Sequence, residues 1–112
     1  MSLELVKIQG VRGGEASQYI KVAASSSTKP IGLVSTGAPG DYIDCMTVIP
    51  ATSASGAVTL FDGTTAVISI PAQAGGAGVP PSYSLYLGFR AQSRWNITTG
   101  ANVSVVVVGS FK

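Results

Sequence analysis

Turn-forming residues break this chain too often for a helix. Gly, Pro and Ser interrupt every window long enough for one, and no stretch sustains an apolar repeat of 3.6 residues. What remains between the breaks is rich in β-branched and aromatic residues, the composition of strands. The runs are Tyr19 to Ala23, Ile31 to Ser35, Ile43 to Ile49, Ala57 to Phe61, Ala66 to Ile70, Tyr83 to Phe89, Arg94 to Thr98 and Val103 to Phe111. These short runs predict an all-β chain of about eight strands, folded as a two-sheet antiparallel sandwich, jelly-roll-like. At 112 residues it makes one domain. We assign residues 17–112 to the sandwich. Residues 1–16 are an N-terminal arm or an edge strand.

The sharpest local signal is Asp62-Gly63, set between Ala57-Val-Thr-Leu-Phe61 and Thr64-Thr-Ala-Val-Ile-Ser-Ile70. Asp-Gly between two apolar runs marks a hairpin. A strict two-residue loop would pair Phe61 with Thr64, mixing polar and apolar residues on each face. A three-residue loop with a bulge pairs Phe61 with Thr65. It gathers Val58, Leu60, Ala66, Ile68 and Ile70 on one face, with Thr59, Val67 and Ser69 on the other. Face separation fixes register, so the bulged loop is preferred.

Charge is scarce. Only 11% of residues are charged, against about 25% in ordinary soluble domains. A small domain has much surface per unit volume and should need more charge, not less. Burial of part of that surface against other subunits explains the deficit and predicts a homo-oligomer. The net charge is +2 and no run of like charge occurs, so the basic footprint of a nucleic-acid binder is missing. The longest apolar run, Val105 to Val108, is far short of a membrane span. MSLELVKIQG places acidic and polar residues where a signal peptide needs a continuous apolar stretch, and a single cysteine, Cys45, allows no internal disulfide. Synthesis in the cytoplasm is the expectation.

Chemistry is scarce too. With no histidine, the commonest general base and metal ligand is absent, and Ser-His-Asp or Cys-His arrangements cannot be built. Asp41 and Asp44 fall on opposite faces of one strand, which separates them as an acid–base pair; the reading is that Asp41 ends a turn and Asp44 faces solvent or a neighbour. Cys45 reads as a small buried hydrophobe. Gly75-Gly-Ala-Gly78 lacks the Lys-Ser/Thr of a phosphate loop, and Pro80 and Pro81 forbid the helix such a loop opens. Asn96-Ile-Thr98 and Asn102-Val-Ser104 read as turn and strand residues rather than glycan acceptors. No cofactor, metal or catalytic activity is expected.

Contact residues are read from pattern. The last strand is apolar on both faces, with Val106 and Val108 opposite Val103, Val105 and Val107, so its second face should meet another subunit. Leu3, Leu5, Val6 and Ile8 form an apolar stretch followed by Gly10, Gly13 and Gly14, suited to an arm that adds a strand to a neighbour's sheet. Arg90 and Arg94 are placed at a subunit contact. The alternative function is a glycan-binding module with Tyr83, Tyr86 and Trp95 as its platform.

A resemblance joins these readings. Lys29-Pro-Ile-Gly32, Asp41-Tyr-Ile-Asp44, Ile49-Pro-Ala-Thr52 with Gly56-Ala-Val58, and Asp62-Gly63 carry it. So does Trp95-Asn-Ile-Thr-Thr-Gly-Ala-Asn-Val-Ser104 running into Val-Val-Val-Val-Gly109. From about Ile31 to Phe111 the chain resembles small virion proteins of tailed bacteriophages. The resemblance implies a capsid decoration or cement protein, which clamps neighbouring capsomers, commonly as a trimer. It further implies the major capsid protein or other virion proteins as partners, and a place on the capsid surface. The alternative within the same setting is a glycan-binding module of a head or tail fibre.

Overall fold

The computed structural model describes residues 18–32, 37–73, 75–76 and 78–111. Leu3, Leu5, Val6 and Ile8 lie outside them, as does the assignment of residues 1–16 to an arm or edge strand. The described chain is all-β: β1 (Gln18–Val22), β2 (Lys29–Ile31), β3 (Tyr42–Pro50), β4 (Val58–Asp62), β5 (Thr65–Ile70), β6 (Tyr83–Arg90), β7 (Trp95–Thr99) and β8 (Val103–Ser110). Seven of them fall on runs read from sequence. β2 departs most: it begins at Lys29 and ends at Ile31, ahead of the Ile31 to Ser35 run. Pro30 donates no N–H, and it is tolerated here because β2 is an edge strand.

Two four-stranded sheets form, ordered β1-β8-β3-β6 and β2-β7-β4-β5. The pairs β4·β5, β3·β6, β2·β7 and β1·β8 are nested and antiparallel, as in one long hairpin with its tip at Gly63 and Thr64. Folding that hairpin over adds β3·β8 and β4·β7 and closes both sheets. This is the strand order of a jelly roll.

The core lies between the sheets and follows the two-residue alternation of strands. In the first sheet, register sets Ile20, Val107, Met46 and Leu85 in one inward row, and Val22, Val105, Val48 and Tyr83 in the next. The second sheet contributes Ile31, Val58, Leu60, Trp95 and Ile97, all buried. Each such aliphatic side chain contributes about 1.5–3 kcal/mol by leaving water. Trp95 takes the deepest aromatic position, 1% exposed, because its indole Nε1–H finds an acceptor there, the Asp41 carbonyl oxygen at 2.9 Å.

The hairpin register differs from the preferred reading. Asp62 pairs with Thr65 and Phe61 with Ala66, so the loop is the two-residue Gly63-Thr64, with Gly63 at φ 65°. The irregularity falls within β5 at Val67, and beyond it Leu60 pairs with Ile68 and Val58 with Ile70. Val58, Leu60, Ile68 and Ile70 share the core face as expected. Ala66 does not; it lies exposed across from Phe61. The Asp62 carboxylate explains the change. Its two oxygens accept from the backbone N–H groups of Gln92 and Ser93, both at 2.8 Å, which holds Asp62 in the strand rather than in the loop.

A second irregularity sits between Ile43 and Cys45, where Asp44 is an extra residue in β3 against β8. The bulge changes two expectations. Asp44 is 9% exposed rather than solvent-facing, and Cys45 leaves the core for the outer face, where it is half-buried.

Candidate functional site

The outer face of the first sheet is the surface with the most distinctive composition. Register lays it out in rows across the strands. Tyr19, Val108, Cys45 and Tyr86 form one row; Lys21, Val106, Thr47 and Ser84 form the next. Ser104 and Ile49 follow on one side, and Ser110, Tyr42 and Arg90 on the other. Tyr19 and Tyr86, on the two edge strands, are 69% and 71% exposed. Val106, Val108 and Ile49 are half-buried between their neighbours. The two central strands pair along their length apart from the bulge at Asp44, and the Thr47 and Ser84 hydroxyls bond across the face at 2.8 Å.

Few charges interrupt it. Lys21 lies near one corner. Arg90 lies at the opposite one, its guanidinium 5.2 Å from the centre of the Tyr42 ring and donating to the Gly40 carbonyl at 3.3 Å. Across all described residues, the exposed charges are Lys21, Lys29, Arg90 and Arg94. Asp41 and Asp44 are buried, and Asp62 is committed to its two backbone donors. The described surface is thus sparsely charged and cationic. Arg94 is exposed in the turn before β7, at the same end of the sandwich as Arg90.

Of the contact residues read from sequence, Val106 and Val108 fall on this face and Arg90 on its margin. Arg94 lies off it. Tyr19, Tyr86 and Ile49 also fall on this face and were not among the contact residues read from sequence. The alternation of Tyr19-Ile20-Lys21-Val22 was the available signal for the first.

The glycan platform does not assemble. Trp95 is core, Tyr83 points inward in the Val48 row, and Tyr86 alone of the three rings is on the outer face. The depression beside Tyr86 is shallow, about 190 Å³, and lined by Tyr42, Asp44, Tyr86, Leu87 and Gly88. A larger open one borders the hairpin tip at Asp62, Gly63, Gln92 and Ser93. Neither brings together a base, a nucleophile and an acid. Among the described residues no three acidic or cysteine side chains gather to hold a metal ion, and no helix is long and apolar enough to cross a membrane. Asn96 is 7% exposed and donates through Nδ2 to the Gly63 carbonyl, a structural use of that side chain. Asn102 occupies a left-handed turn position, φ 63°, and donates to the Ala54 carbonyl.

No family model matches the chain, and no curated protein matches it.

Proposed function

We propose that this protein is a structural subunit of a tailed-bacteriophage virion, a decoration or cement protein that binds and stabilises the capsid shell. It works by binding alone, as a homo-oligomer against the major capsid protein or other virion proteins, and is made in the bacterial cytoplasm. The observation that carries this reading is the outer face of the first sheet. It sets Tyr19, Tyr42, Tyr86, Val106, Val108 and Ile49 among uncharged Ser, Thr and Cys residues, and its two cations lie at opposite corners. A surface of that kind is stabilised by being covered, at about 25 cal/mol per Å² of apolar area removed from water. The resemblance of Ile31 to Phe111 to small phage virion proteins supplies the setting, and the jelly-roll order is an architecture that viral capsid domains also use.

The test is the copy number of this protein in purified particles from infected cells. The proposal expects a number matching the capsid lattice. Protein present in infected cells and absent from particles refutes it.

A further inference from the structure

We infer that the outer face of the first sheet pairs with the same face of a second copy, about a two-fold axis lying between the two apposed outer faces and parallel to the strands. The inference rests on the assembly reading above and names one partner for its surface.

The argument is one of self-match. A two-fold axis of this kind, running between β8 and β3, brings β1 of one copy opposite β6 of the other and keeps each row opposite itself. In the first row, Tyr19 meets the second copy's Tyr86 at both ends, and Val108 meets Cys45 in the middle. In the next row, Lys21 meets Ser84 and Val106 meets Thr47. The two exposed rings that most need cover, Tyr19 and Tyr86, then cover each other. Lys21 and Arg90 sit in different rows on opposite edge strands, so the axis brings neither onto its own kind. An isologous contact needs this property, because every repulsion in it occurs twice.

Size is consistent with a weak pair. Four strands at about 4.8 Å spacing, and about seven residues of about 3.4 Å rise, give a face of about 19 by 24 Å. Two such faces bury on the order of 1,000 Å² in total, the lower end for a specific contact. The pair should therefore dissociate on dilution and be reinforced within an assembly.

The chain contains its own reporter. Cys45 is the only cysteine and stands in the central row of this face. Sedimentation of the full chain from about 10 μM to about 1 mM should pass from monomer to dimer, and maleimide modification of Cys45 should slow at least about fivefold over that range. Tyr86→Lys and Val108→Lys should remain monomeric, with Cys45 reacting at a concentration-independent rate. Lys29→Glu, on the second sheet, should behave as the parent chain. Tyr86 is 71% exposed, so its substitution leaves the fold intact if that at Val108 does not. A monomer at every concentration, a trimer, or a dimer whose Cys45 keeps its dilute rate overturns the pairing. If the parent chain is monomeric yet both variants lose particle occupancy, the pairing falls and the assembly reading stands. If occupancy is unchanged as well, both fall.

Discussion

Two adjacent valines of β8 face opposite sides of the first sheet. Val107 faces inward, 0% exposed, in a row with Ile20, Met46 and Leu85. Val108 faces outward and is half-buried among Tyr19, Cys45 and Tyr86. Val107→Ala removes two buried methyl groups, a transfer loss of about 1.6 kcal/mol. The space they vacate is closed on all sides and adds about 1 kcal/mol at about 24 cal/mol per Å³. The sum is about 2–3 kcal/mol, a fall in Tm of roughly 8–20 °C for a domain of this size. Val108→Ala removes the same atoms from a site open to solvent. Only part of the transfer loss applies and no cavity remains, so the isolated protein loses less than about 1 kcal/mol. Urea denaturation of dilute protein measures both, and an unchanged slope shows that the same surface is exposed on unfolding. Equal losses at the two positions, or a larger loss at Val108, would refute the assignment of inner and outer faces.

Three more outcomes follow from other sites. Gly109→Ala should leave the protein insoluble or unfolded, because a Cβ there would overlap the Tyr42 carbonyl across the β3·β8 pair; soluble expression followed by circular dichroism checks it. Asp62→Ala removes the acceptor from the Gln92 and Ser93 N–H groups and should lower stability by about 1–2 kcal/mol, with Asp62→Asn recovering part of it, measured by thermal melting. Deleting residues 1–14 should leave Tm within a few degrees of the full chain (about 1 kcal/mol or less) and reduce particle occupancy. Loss of the fold on truncation would place the segment in the core instead.

What could be read in the sequence was local. β-branched runs between turn residues located seven of the eight strands, and Asp62-Gly63 located the hairpin, because both signals lie within a few residues of what they specify. The nested pairing from β4·β5 out to β1·β8 is long-range, and only the general architecture was legible. The bulges hid the rest. Residue alternation alone assigns Cys45 to an interior strand, but the extra residue at Asp44 turns it outward. Alternation likewise put Ala66 with Ile68, until the irregularity at Val67 separated them. Trp95 offered aromatic surface as sequence, and its burial was decided far along the chain, by the Asp41 carbonyl; alternation alone already set Tyr83 and Tyr86 on opposite faces. The doubly apolar pattern of β8 was legible because no bulge interrupts the alternation of Val105, Val106, Val107 and Val108.

The most direct test of the account is competition for particles between the parent protein and Val108→Lys, supplied together and in equal amounts during particle assembly. The variant changes the middle of the outer face and leaves the inward rows alone. If that face is the assembly surface, purified particles hold the parent chain almost exclusively while both proteins remain folded in the lysate. Particles that take up the two in equal proportion would contradict the account.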